Sequence, residues 1–180
     1  ESFIPLARHK GIIYNFSSSH GEISVFADPG KLDMIIYNII SNAIKFTSTG
    51  KKVSIDIQIT DPGNYIDIAV ADEGPGIPEK NLADIFTRYT ILSNQELAGT
   101  GIGLSLSYEL AKLHKGDILI KSAVNEGSTF ILRLHKAKDH FSTGDVTTTG
   151  DDISTAVTRF LHTDNLLIEA EKEDDPDSIM

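Results

Sequence analysis

The chain contains no cysteine, which excludes disulfides and zinc–thiolate centres and fits cytosolic chemistry. It is also short of positive charge. Its 16 Lys and Arg stand against 26 Asp and Glu, a net −10 that argues against a nucleic-acid partner. No run approaches the ~18 apolar residues of a membrane span, so no direct membrane contact by this domain is expected. The chain starts Glu1-Ser2-Phe3, without an initiator Met or an apolar signal segment, and reads as a piece of a longer protein. His9, His20, His114, His135, His140 and His162 form no metal-ligand spacing, and none is directly followed by an acid. Most are expected at the surface, and none is given a role.

What is present suffices for one core. Hydrophobic residues make up 40% of the 180, and this length suits one domain with an added segment. The charge divides the chain. From Lys136 onward 4 basic residues face 11 acidic ones, so that stretch carries −7 and residues 1–135 only −3. We expect a domain over residues 1–138 and an acidic, flexible linker or tail over 139–180. A Thr- and Gly-rich stretch runs from Ser142 to Gly150. A short helix is expected over 151–170, with Ile153, Val157, Phe160 and Leu161 on one side.

Within the body, Ile12–Phe16 and Ile23–Ala27 are β-prone runs, read as a hairpin or an offset pair of strands. Asp28-Pro29-Gly30 then starts a helix, with Asp28 as N-cap and Pro29 at the first helical position. Leu32, Ile35, Ile36, Ile39, Ile40, Ala43 and Ile44 follow at helical spacing, which predicts a helix from Pro29 to Phe46. Val53 to Ile59 and Ile66 to Val70 alternate as strands, paired antiparallel through Asp61-Pro62-Gly63-Asn64. Glu79–Ile85 reads as a short helix and 89–99 as loop. Leu104–His114 reads as a helix with Leu104, Leu106, Leu110, Ala111 and Leu113 available for burial. Ile118–Ser122 and Thr129–Leu134 are strands around Asn125-Glu126-Gly127. The predicted fold is a two-layer α/β sandwich, one sheet covered on one face by helices.

Three stretches carry chemistry. Asn38 and Asn42 lie one helical turn apart and share a face at the edge of the core. Their amide oxygens are hard ligands suited to Mg²⁺, and Lys45 just beyond is able to reach a phosphate. Polar residues on the wet side of an ordinary amphipathic helix are the alternative. Asp72 ends a strand ahead of Gly74-Pro75-Gly76-Ile77-Pro78. Its carboxylate suits an exocyclic amine such as N6 of adenine, and the glycines let the backbone approach a ring. A plain turn uses the same residues. Gly99-Thr100-Gly101-Ile102-Gly103-Leu104 enters a helix, where free backbone N–H groups make an anion site. A flexible glycine turn without a ligand is the alternative. The stretch is neither a phosphate-binding GxxxxGK[ST] loop nor a dinucleotide-binding GxGxxG turn. Glu126-Gly127-Ser128-Thr129-Phe130 sets a hydroxyl at the start of the last strand, where Thr129 would donate to an adenine ring nitrogen directly or through water. A plain hairpin turn is the alternative, preferred if the other motifs are set aside.

In this order and spacing the set resembles the ATP-binding domain of sensor histidine kinases, in the superfamily shared with gyrase, heat-shock chaperone and mismatch-repair ATPases. Asn38–Lys45 resembles the N box, Asp72–Pro78 the G1 box, Ile85–Tyr89 the F box and Gly99–Ser105 the G2 box. Glu126–Phe130 is similar to the strand closing the adenine pocket. Pro5–Ile12 is similar to the segment that follows the dimerisation helices. The resemblance covers about residues 3–135.

It implies a mixed sheet with helices on one face, the Bergerat-type ATP-binding fold, and a lid from Tyr89 to about Ala98 hinged at Phe86. It implies ATP and Mg²⁺ as ligands. Asn42, with Asn38 beside it, would hold the metal, Lys45 and Arg88 would face phosphate, and Asp72 would select adenine. Gly74, Gly76 and Ile77 would line the base end, with Thr129. Gly99, Thr100, Gly101, Ile102, Gly103 and Leu104 would cover the phosphates. Related ATPases carry a water-activating Glu one turn before the metal-binding Asn. Asn38 stands there and cannot act as a base, so ATP is expected to be held for transfer.

No catalytic residue is assigned, because the family's acceptor, a His followed by an acid on a dimeric helical bundle, is absent. The implied partners are that helical domain of the same parent and a downstream receiver domain, and the implied location is cytoplasmic. The fragment is expected to bind ATP without phosphorylating itself. A serine kinase restraining a sigma factor, and a nucleotide-binding regulatory module without transfer, are the competing readings.

Overall fold

The computed structural model describes residues 3–19, 23, 25–60, 64–87 and 101–136. Along the chain these form α1 (Ile4–His9), β1 (Ile13–Ser18), α2 (Pro29–Phe46), β2 (Lys52–Thr60), β3 (Tyr65–Asp72), α3 (Glu79–Leu82), α4 (Gly103–Leu113), β4 (Asp117–Ala123) and β5 (Gly127–His135). The strands make one sheet in the order β1-β2-β3-β5-β4. The β1–β2 pair is parallel and the other pairs are antiparallel, so the sheet is mixed.

Alternation builds the core. Val53, Ile55 and Ile57 of β2 and Ile66, Ile68 and Val70 of β3 point to one face, as do Phe130, Leu132 and Leu134 of β5. Against that face lies α2, whose Leu32, Ile35, Ile39 and Ile44 are almost wholly buried. Full burial of one such side chain contributes about 1.5–3 kcal/mol. On the opposite face Arg133 donates to both carboxylate oxygens of its cross-strand partner Asp67, at 2.7 and 2.6 Å. This bidentate pair pins the β3–β5 register.

Helix α2 is closed at both ends. The Asp28 side chain accepts from the Lys31 backbone N–H at 3.0 Å, and Pro29 occupies the first turn. At the other end the Lys10 ammonium donates to the carbonyls of Ile44 and Lys45, both at 2.8 Å, and of Thr47 at 3.4 Å. Those carbonyls lack helical partners and carry the negative end of the helix dipole.

Three expectations are corrected, and one segment without an expected structure gains one. Ile23 and Val25–Ala27 lie in no strand, and β1 makes no hairpin with them. Instead β1 pairs in parallel with β2, and α2 provides the crossover that a parallel pair needs. Val25 and Ala27 are apolar because they are buried in the core on the approach to α2. The stretch from Pro5 is a helical turn, with Pro5 in its first positions and Ala7 buried. The short helix from Glu79 ends at Leu82, and buried Ile85 follows in a turn. Finally, α4 is rotated from the expected frame. Leu106 and Leu113 are exposed, whereas Ser105, Ser107, Leu110 and Ala111 are buried. The small side chains let α4 approach the polar flank of α2. The expected loop 89–99, the turn at 61–63, and everything from 137 onward lie outside the described residues.

Candidate functional site

One flank of α2 carries Asn38 and Asn42, both half-buried. The Asn38 amide nitrogen donates to the Gly103 carbonyl at 3.2 Å and to the Ser107 hydroxyl at 3.0 Å. Both amide hydrogens are therefore committed to α4, and the oxygen has no donor among the described residues. The Asn42 side chain makes no hydrogen bond to a described residue. A Cβ added at Gly103 would sit 3.4 Å from Asn38 Oδ1, in ordinary contact with it. Lys45, one turn on, is half-buried with its ammonium 5.2 Å from the Phe46 ring centroid.

The second wall is the end of β3. Asp72 shares the inner face with Val70, and its Oδ1 accepts from the Gly74 N–H at 2.8 Å. Burial pushes its carboxyl above the ordinary value, while the N–H groups of Gly74 and Ser128 oppose that rise. A Cβ at Gly74 would lie 2.6 Å from Asp72 Oδ1 and 3.1 Å from the Phe46 carbonyl. The carboxylate thus sits beside the last turn of α2, and Gly74 is what allows it. Gly76 has φ +69°, and a Cβ there would come within 1.8 Å of the Ala123 carbonyl. The segment after Asp72 is tied to the β4–β5 hairpin, with Asn125 N–H donating to the Pro75 carbonyl at 2.7 Å. Ile77 N–H donates to the Ser122 hydroxyl at 2.8 Å.

The third wall is the start of α4. Gly101 has φ +66°, and among the described residues no side chain caps the helix, whose first N–H groups suit an anion. Ile102 is exposed there, and Leu104 packs against the core. Phe86 stacks on Tyr108 of α4, ring centroids 4.7 Å apart and planes 22° apart. From Asn38 to Phe46 the site runs about 12 Å along α2, given the helical rise per residue. Its polar groups change along that path, from backbone N–H and amide at α4 to carboxylate at β3.

Asn38, Gly103 and Gly101 are thus brought to one end, and Asp72, Gly74, Gly76 and Ile77 to the other. Asn42 and Lys45 lie between. Arg88, Gly99, Thr100 and the expected lid from Tyr89 lie outside the described residues. Thr129 is not brought to the site. It pairs with Ala71, so it shares the outer face of the sheet. Its neighbour Ser128 is the residue opposite Asp72, buried on the inner face. Sequence reasoning named a hydroxyl at this strand but chose the wrong parity. The signal that would have found Ser128 is the apolar alternation of Phe130, Leu132 and Leu134, which shares its face.

No cluster of three His, Cys, Asp or Glu side chains occurs among the described residues. A cation here would rest on amide oxygens and on oxygens of its ligand. That donor set fits Mg²⁺, which binds few protein groups and takes phosphates and water for the rest. No helix among the described residues is long and apolar enough to cross a membrane.

Comparison with known proteins agrees on the family. The profile described as "Histidine kinase-, DNA gyrase B-, and HSP90-like ATPase" matches residues 27–138. Histidine kinase P4 of Formosa agariphila is 33% identical over 162 residues, covering 85% of this chain and 12% of that protein. The chain thus spans a small part of that relative. The solved catalytic domain of histidine kinase ThkA, in a nucleotide-free form, is 27% identical with a TM-score of 0.66, covering 74% of this chain and 86% of that one. Full-length ShkA in complex with AMPPNP is 28% identical with a TM-score of 0.65, covering 75% of this chain and 28% of that one.

Proposed function

The chain belongs to the family of histidine kinase-, DNA gyrase B- and HSP90-like ATPases, and from that membership we propose that it is the ATP-binding catalytic module of a sensor histidine kinase. Its task is to hold ATP with the γ-phosphate facing a histidine on a separate helical domain, in two-component signalling. The work is cytoplasmic, and a receiver domain takes the phosphate next.

The observation that carries this reading is the commitment of Asn38. Its amide donates both hydrogens to α4, leaving one oxygen beside the open amide of Asn42. Asp72 at the other end offers an acceptor to the base amine. Asn42 and Asn38 would hold Mg²⁺, which supplies charge neutralisation at the phosphates when bound. Lys45 would add a point charge, with Arg88, Gly99 and Thr100 completing the phosphate end. An amide at position 38 is not a base and takes no proton from water, so this chain's residues orient ATP without activating a hydrolytic nucleophile. The likeness to full-length ShkA, solved in complex with AMPPNP, supports an adenine nucleotide as the ligand.

The test supplies radiolabelled ATP and Mg²⁺ to the chain alone and to the chain mixed with a dimeric helical domain bearing His followed by an acid. Acid-labile phosphohistidine only in the mixture is expected. Label on the isolated chain, or acid-stable phosphoserine on an added protein, would contradict the proposal. Phosphoserine would point to the kinase class that restrains sigma factors. Binding without any transfer would point to a regulatory module.

A further inference from the structure

Building on the nucleotide site just proposed, we propose that Ser122 is a positioning residue that fixes the donor–acceptor polarity of the base-reading end and so favours a 6-amino purine over a 6-oxo purine. Ser122 lies on β4, outside every sequence motif considered above. Its hydroxyl meets three groups. It lies 2.8 Å from the Gly127 carbonyl, 2.8 Å from the Ile77 backbone nitrogen and 2.9 Å from the Ser128 hydroxyl.

Proton counting fixes the directions. A hydroxyl has one hydrogen and two lone pairs. The Gly127 carbonyl only accepts, so the Ser122 hydrogen goes to it. The Ile77 N–H only donates, so it takes one Ser122 lone pair. The remaining lone pair must accept the Ser128 hydrogen. Ser128 is thereby left with lone pairs alone. It stands opposite Asp72 across the β3–β5 pair, on the same face of the sheet.

Two acceptors, the Asp72 carboxylate and the Ser128 oxygen, then flank one position. An exocyclic amine offers two hydrogens to such a pair. A 6-oxo group offers none and would face lone pairs. The selectivity therefore rests on Asp72 and also on a hydroxyl relay that denies Ser128 its role as donor. The same Ser122 holds Ile77, so the relay is locked to the loop that follows Asp72.

The experiment measures affinities of ATP and inosine triphosphate, each with Mg²⁺, for the wild-type chain, Ser122→Ala and Ser122→Thr. Wild type is expected to prefer ATP. Ser122→Ala frees the Ser128 hydrogen to turn toward an oxo group, so the ATP-to-ITP preference should narrow by roughly 2- to 10-fold. Ser122→Thr keeps the hydroxyl and should restore the wild-type ratio. A wild-type preference that Ser122→Ala leaves unchanged, or that Ser122→Thr also loses, overturns this inference while the nucleotide site stands. Failure of wild type to bind either nucleotide overturns both. Ser128→Ala leaves Ile77 bonded and decides the matter if Ser122→Ala does not fold. It too should narrow the ratio, and an unchanged ratio overturns the inference.

Discussion

Asp72 is asked to do two things that conflict. Its burial at the end of β3 raises its carboxyl above the ordinary value, and folding therefore favours its protonated form. That contribution is present below the unfolded-state value and is lost as pH rises through the raised value in the fold. At neutral pH the buried charge works against stability, yet the charge is what would accept the base amine. Asp72→Asn should therefore lower ATP affinity by roughly 10- to 100-fold, the scale of a hydrogen bond to a charged group. The melting temperature of the nucleotide-free protein should stay level or rise. ATP binding to the wild type should weaken on acidification at a higher pH than an ordinary carboxylate would give. Calorimetric titration with thermal unfolding checks both, and retained affinity in the variant would refute the assignment. At this scale the sequence was readable where spacing alone fixes geometry. Asn38 and Asn42 share a face because four residues make about one helical turn. Ser128 was missed although the apolar alternation of β5 sets its parity, because its place opposite Asp72 comes from a pairing with a residue more than fifty positions away in the chain.

Among the elements, α2 carries most of the site and is held from outside itself. Lys10 follows α1 yet ties down the C-terminal carbonyls of α2, within one turn of Lys45 and Asn42. Replacing it by Met keeps the apolar stem and removes the charge. About 1–2 kcal/mol of stability should be lost, since three carbonyls at the negative end of the helix lose their donor. That appears as a melting temperature lower by several degrees. An unchanged melting temperature would show that water replaces the ammonium without cost. Elements defined by local pattern were legible: α2 matches its expected bounds because Asp28 caps it and its apolar period is unbroken. Elements defined by distant partners were less so. The run at 23–27 has strand-like composition, but its Val25 and Ala27 are apolar for packing. The frame of α4 was misjudged because its buried Ser107 answers to Asn38 of another helix.

At the scale of the whole molecule, the candidate site is a trough that would follow α2 from the start of α4, beside Asn38, to the end of β3, beside Phe46. The mixed sheet was only partly readable. The antiparallel β2–β3 and β4–β5 pairs follow from alternation and turns, while the β3–β5 pair joins strands distant in the chain and the parallel β1–β2 pair needs a crossover that local pattern does not announce. The central claim is that this trough takes ATP with Mg²⁺. Isothermal titration of the folded chain with ATP tests it most directly, with and without Mg²⁺ and beside Asn42→Ala. The account predicts one saturable site whose Mg²⁺-dependent gain is lost in Asn42→Ala. Absence of any binding heat at millimolar ATP in well-folded protein would contradict it.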